Sequence, residues 1–403
     1  VTRSGRMVVA SEAGALPVDP KDVLEKGRIT PGKMMLVDLE QGRVLDDEKV
    51  KRSVYEGKSY YNWIIQNRLK LRLAPEQEWH EETFDDKTLQ QRQHAYGFTE
   101  EDIRFILTPM AQSGYEAIGS MGDDTPLAVL SKESRHISNY FKQHFAQVSN
   151  PPIDPIRERL VMSLFTRIGQ SLNVLEETSQ HTAQIHISQP VLLNSDVEKL
   201  KHLPEHGFEY AIIRCIFQAD GKPGRLEENL NRICQEAEKA IRAGKKIIVL
   251  SDRKISADYA PIPSLLSIGA VHHYLVEQRI RTHAGLLVEA GDVWEVHHFA
   301  TIIGYGASAI NPYMALESIH ELNKKNGLGK PMSDEDAWHN YQKAIGNGLL
   351  KVMSKMGIST LQSYQSAQIF EALGLGSEVI DKCFRGTISR IEGLSFDDLA
   401  LEV

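Results

Sequence analysis

From about residue 185 onward, short apolar runs alternate with stretches of helical period. Tyr210 to Phe217 reads as a strand, and Leu226, Leu230, Ile233, Cys234, Ala237 and Ile241 then share one helical face. Gly244 closes that helix, and Lys246 to Leu250 is the next strand. Ile268 to His272 reads as another. Gly285 to Val288 ends at Glu289, and Asp292 has the chemistry of a helix N-cap. Val293, Val296, Phe299, Ile302 and Ile303 make the buried stripe of that helix, which Gly304 and Gly306 stop. Ala307 to Ile310 returns as a strand before Asn311-Pro312. This is a βαβ unit, whose parallel strands are covered on both faces. Trp338, Tyr341, Ile345, Leu349, Val352 and Met356 mark a long helix ended by Gly357, with a last strand over Ile358 to Leu361. The expected fold class is α/β, with a mainly parallel sheet. About six strands suit a degenerate or partial βα barrel better than a complete one.

The first part of the chain has a different texture. Met7 to Ala10 is strand-like. Met34 to Leu39, Gln41-Gly42 and Arg43 to Leu45 read as strand, turn, strand. So few strands are marginal alone, which leads us to expect a partner segment upstream. Residues 53–110 are polar and helical, with Trp63, Ile64 and Leu69 expected inside. Pro75 and the acidic run Glu76 to Asp86 read as a connector. Thr99-Glu-Glu-Asp102 is a capping box. Asp154 at N-cap and Pro155 at N1 open a helix with Leu160, Val161 and Leu164 as its buried stripe. Ser195-Asp-Val-Glu198 is a further box. The expected division is 1–52, a small β segment; 53–110, a helical connector; and 111–403, the main domain.

Composition narrows the function. With 403 residues, two or three cores are expected. The net charge of −8 and the lack of a basic block argue against nucleic acid. No apolar run approaches the roughly 20 residues of a membrane span. Cys215, Cys234 and Cys383 are scattered, so neither a disulfide framework nor a cysteine metal site is expected, and a reducing, cytoplasmic compartment is the default.

Several residue groups invite chemistry. His272-His273 and His297-His298 are adjacent pairs whose side chains diverge, so neither chelates by itself. His181 and His186 lack a ligand spacing. Gly304-Tyr-Gly-Ala could cradle phosphate if it opened a helix; the pattern reads it as closing one, with a vestigial late-barrel phosphate loop as the alternative. Glu289, at a strand end, is placed for a general base or for an ion pair with Arg279 or Arg281. The loop Gly119, Ser120, Met121, Gly122, Asp123, Asp124, Thr125 combines permissive backbone with polar side chains. It suits a domain interface or a capped turn, and two neighbouring carboxylates are too few for calcium.

GYEAIGSMGDDTPLAVLS, followed by FKQHFAQVSNPPIDPIRERLVMSL, resembles the central domain of the large chain of glutamate synthases. HHFATIIGYGASAINPYMALE and KVMSKMGISTLQSYQSAQIFEALGL resemble the same family. The opening MVVASEAGALPVDPKDVLEKGRITPGKMMLVDLEQGRVLDDE is similar to the end of its glutamine amidotransferase domain. The resemblance implies that residues 1–52 are that domain's tail and 111–403 the central domain. It also implies a chain that joins a glutaminase domain to an FMN domain and helps wall the ammonia tunnel between them. The family makes glutamate from glutamine and 2-oxoglutarate, with FMN, an iron–sulfur cluster, and electrons from ferredoxin or an NAD(P)H-dependent subunit. It works in the cytoplasm or, in plants, the plastid stroma. The family's nucleophile is an N-terminal cysteine, whereas position 1 here is Val1 and the first cysteine is Cys215. The flavin domain and cluster cysteines would likewise lie outside this sequence. The expectation is therefore no cofactor, no metal and no turnover by this chain alone. The competing expectations are an autonomous barrel enzyme using Glu289 with a nearby histidine, and a module that presents residues 114–126 to a partner.

Overall fold

Residues 1–66 and 67–403 form two units. The computed structural model describes residues 1–74, 86–119, 124–144, 151–203 and 207–403. In the first unit, β1 (Leu36–Asp38) and β2 (Arg43–Leu45) pair antiparallel, Leu36 against Leu45. Gly42 turns the hairpin at φ +62°, as its sequence predicts. Helices α1 (Asp47–Tyr55) and α2 (Tyr60–Asn67) follow, and Asp46 caps α1 by accepting from Lys49 N. Two expectations fail here. Met7 to Ala10 forms no strand, and α2 buries none of its residues, leaving Trp63 half-buried and Ile64 36% exposed. A unit this small has too little apolar surface to enclose them.

The second unit opens with β3 (Leu69–Lys70) and α3 (Asp86–Ala95). Thr99 and Asp102 form the expected capping box, Thr99 N donating at 2.8 Å and Asp102 N at 3.1 Å. A π-helical turn then leads into α4 (Thr108–Ser113). After β4 (Phe141–Gln143), Asp154 caps α5 (Pro155–Val161) through Ile156 N and Arg157 N, both at 3.0 Å. The cap is as expected but the stripe is not: Leu160 is 85% exposed and Val161 48%. Strands β5 (Thr166–Ile168) and β6 (Ile185–Ile187) precede α6 (Asn194–Lys201). That helix starts earlier than the pattern Ser195 to Glu198 implies, because Asp196 reaches back to Leu193 N at 3.0 Å.

The alternating region follows. It runs β7 (Tyr210–Arg214), β8 (Ile216–Gln218), α7 (Arg225–Arg242), β9 (Ile247–Ser251), β10 (Tyr259–Pro261), α8 (Ser264–Glu277) and β11 (Gly285–Glu289). Then come α9 (Val296–Gly304), β12 (Ala309–Asn311), α10 (Tyr313–Lys324) and α11 (Asp334–Lys355). The chain ends with α12 (Leu361–Tyr364), β13 (Phe370–Ala372), α13 (Ser377–Cys383), β14 (Ile388–Ser389) and α14 (Phe396–Glu402).

The fold is α/β, a partial βα barrel around one parallel sheet of order β12-β11-β9-β7. A bridge from Val191 to Ile310 continues its curve by one segment. Alternation sorts the side chains. Ile248, Leu250, Leu286 and Val288 join the large core with the helices, while Ile247, Val249, Leu287 and Ala309 face the barrel interior beside α6 and β6. Three strand expectations are corrected. Ile268 to His272 lies inside α8, which is buried almost all round and so carries no helical period. Tyr210 to Phe217 splits at Cys215, with β8 turning away to pair antiparallel with β10. Ile358 to Leu361 contributes only a bridge from Thr360 to Ser163.

Candidate functional site

The register of the sheet brings Ser251 beside Glu289 and Glu289 beside Asn311, so the carboxyl ends of three strands align. In open parallel sheets this edge is where ligands bind. Here Asp252 and Arg253 continue from β9, and Gly291 and Asp292 from β11. Asp252 is 1% exposed. Its carboxylate accepts from Gly291 N at 2.8 Å and 3.1 Å and from the Tyr313 hydroxyl at 2.8 Å. Tyr96, just past α3, donates to Asp252 O at 3.0 Å and shares a 2.5 Å contact with Tyr313 Oη. Burial pushes the Asp252 carboxyl well above the usual range, and Asp292 adds to it. Burial and the nearby Asp252 likewise push both phenols far up.

Arg253 lies on the Tyr313 ring, 4.0 Å from its centroid, and donates to Asn311 Oδ1 at 3.0 Å. Its Nε is 3.4 Å from Glu289 Oε1, an ion pair without hydrogen-bond geometry. Glu289 thus pairs with Arg253, a neighbour in space, rather than Arg279 or Arg281. Arg281 instead donates to Gly306 O, Ala284 O and His272 Nδ1. Asp292 is also reassigned. The residue before α9 is Glu295, and Asp292 Oδ2 accepts from Ser264 N at 2.9 Å, closing the first turn of α8.

Tyr96, Phe98 and Trp294 are each no more than 5% exposed, and Phe98 lies 4.2 Å from Trp294, ring to ring. Together with Tyr313 they fill the mouth of the partial barrel. Inside it, Leu192, Leu200, Val249 and Leu287 line a small cavity of about 20 Å³, the volume of about one water. Beside the mouth, His136 stacks on His298 at 3.8 Å, and His298 Nε2 is 3.2 Å from Glu295 Oε1. His136 donates through Nε2 to Asp292 O at 2.7 Å and accepts Ser138 N at Nδ1, so it is neutral; burial holds its pKa well below the usual range. These groups can lock the strand ends and hold a proton. They present no open face to a reactant.

The other sequence candidates separate. His272 and His273 sit perpendicular, 5.0 Å apart, on α8. His297 Nε2 is held by Ser138 O and Phe141 O. His181 closes its own turn against Thr178 and Asn173, and His186 lies on β6. Gly304 ends α9, and Gly306, at φ +110°, passes so close to His272 that a Cβ would meet Nδ1 at 2.4 Å. Among the described residues no three His, Cys, Asp or Glu side chains could hold a metal. All three cysteines are buried and free. Of the 119–125 loop, Ser120, Met121, Gly122 and Asp123 lie outside the described residues. Gly119 and Asp124 are exposed, and Thr125 lines a cleft of about 610 Å³ with Arg135, Lys142, His144 and Lys355. Sequence reasoning missed Tyr96, Asp252 and Tyr313. The charged pair Asp252-Arg253, directly after a buried strand, was the available signal.

A family profile described as the glutamate synthase central domain matches residues 91–376, and one for class-II glutamine amidotransferases matches residues 1–63. The chain is 42% identical over 402 residues to the NADPH glutamate synthase large chain of Bacillus subtilis, covering 100% of this chain and 26% of that protein. It is 40% identical over 417 residues to the NADH glutamate synthase of Schizosaccharomyces pombe, covering 100% of this chain and 20% of that one. For the chloroplastic ferredoxin-dependent glutamate synthase 2 of Arabidopsis thaliana the values are 42% over 412 residues, 100% and 25%. The chain thus spans a fifth to a quarter of the length of these curated relatives. Among solved structures a flavocytochrome b2 variant covers 78% of this chain and 91% of its own at 10% identity, with a TM-score of 0.37, too loose to bear on function.

Proposed function

The chain belongs to the glutamate synthase central-domain family, and from that premise we propose that it is the connecting part of a glutamate synthase. It joins the glutaminase domain to the FMN domain of the same polypeptide and helps form the ammonia tunnel between them. The proposed division is 1–52, the tail of the amidotransferase domain; 53–110, a helical connector; and 111–403, the central domain. The whole enzyme makes glutamate from glutamine and 2-oxoglutarate, with FMN, an iron–sulfur cluster, and electrons from ferredoxin or an NAD(P)H-dependent subunit. It works in the cytoplasm or a plastid stroma. No helix among the described residues is long and apolar enough to cross a membrane.

The observation that carries this reading is the filled barrel mouth. Tyr96, Phe98 and Tyr313 occupy the strand ends where a barrel enzyme would receive its substrate, so Glu289 serves an internal ion pair. The loop from Gly119 to Thr125 is proposed to line the junction near the tunnel. In the longer enzyme, Thr125→Trp is expected to leave glutamine hydrolysis intact and to lower the glutamate formed per glutamine consumed. An unchanged ratio would remove the loop from the proposal.

A further inference from the structure

Away from the barrel mouth, the three-stranded sheet β3-β6-β5 carries a row of basic side chains. Lys70 is directly opposite His186, and His186 is directly opposite Arg167. Directly opposed residues share one face of a sheet. The other face holds Ile168 and Ile185, both 0% exposed, so the row points outward. Lys70 and His186, with Arg68 and Arg72 two residues either side of Lys70, line a cleft of about 510 Å³, within the range of small-ligand sites. Phe165 stands edge-on to His186 at 4.9 Å, and Gln189 and Gln342 complete the wall. We infer that this cleft binds a small anion carrying carboxylate or phosphate groups.

Like charges on neighbouring strands destabilise a sheet unless something offsets them. Arg68, Lys70 and Arg72 make no ion pair among the described residues, and Asp196 is the one carboxylate in the lining. That carboxylate already accepts from Leu193 N. Arg167 has only a 3.4 Å contact to Gln184. Burial first, and then the charges of Arg68, Arg167 and Lys70, lower the His186 pKa to about 4. The ring is therefore neutral near pH 7 and offers a hydrogen bond without a further charge. Guanidinium forks beside an ammonium recognise carboxylate or phosphate oxygens, and the Phe165 edge accommodates an apolar stem.

Calorimetric titration of the 403-residue chain with succinate and, separately, with inorganic phosphate tests this. Saturable one-site binding of at least one is expected. Arg68→Gln and Lys70→Gln should each weaken it about tenfold, the loss of one charge-assisted contact. Lys70→Arg should retain it, and Lys239→Gln on α7 should not alter it. Succinate alone would mark a carboxylate ligand, phosphate alone a phosphate ligand. Arg68 precedes β3, so its variant carries the test should Lys70→Gln fail to fold. No saturable heat with either probe, or binding indifferent to Arg68→Gln, would overturn the inference.

Discussion

Tyr96 stands against the backbone of Gly291 so closely that a Cβ built there would lie 2.3 Å from the ring. The segment after α3 is thereby held on the strand ends, with the phenol fixed by Asp252 O and Tyr313. Gly291→Ala should lower stability by about 1–3 kcal/mol through overpacking, measured by urea unfolding. In a Tyr96→Ala background the same change should cost less. Equal costs in both backgrounds would mean that Tyr96 does not seat there.

Glu289 and Arg253 form the ion pair of the strand ends, with side chains 4% and 22% exposed. Removing Glu289 alone leaves a largely buried guanidinium uncompensated. Glu289→Ala is therefore expected to cost about 3 kcal/mol or more, and Glu289→Ala with Arg253→Met less than the two single changes summed. Additive single losses in equilibrium unfolding would show the pair to be uncoupled.

His272 receives Arg281 Nε at Nδ1, 3.0 Å away, so protonation would set N–H against N–H. Burial, with Arg281, lowers its pKa to about 3. An unfolded histidine takes its proton near pH ~6.5. Between these values the unfolded state binds more protons, so stability present above about 6.5 is lost as pH falls toward 3, at up to about 1.4 kcal/mol per pH unit. His272→Gln should flatten that slope relative to the parent. A His272 NMR titration with a midpoint near 6.5 would contradict this placement.

Much of the architecture was legible where one face of an element is buried and the other wet. All six apolar positions assigned to one face of α7 are buried, and the βαβ unit β11-α9-β12 stands with β11 and β12 parallel. The pattern failed where burial is complete or absent. α8 is buried on nearly every side and resembles a strand, while Leu160 on α5 is apolar yet exposed. The mouth residues were harder still. Tyr96 and Asp252 are 156 positions apart, and no local spacing records that they meet. Asp292 has N-cap chemistry, but the turn it closes belongs to α8, 28 residues earlier.

The measurement that tests the connecting role most directly uses the purified 403-residue chain. Its visible spectrum and its release of ammonia from glutamine are recorded on one preparation, with a cooperative unfolding transition as the check on folding. A folded, colourless protein that releases no ammonia is the predicted result. A flavin spectrum or glutamine-dependent ammonia release would contradict it, and would assign to this chain a site that the account places in its neighbouring domains.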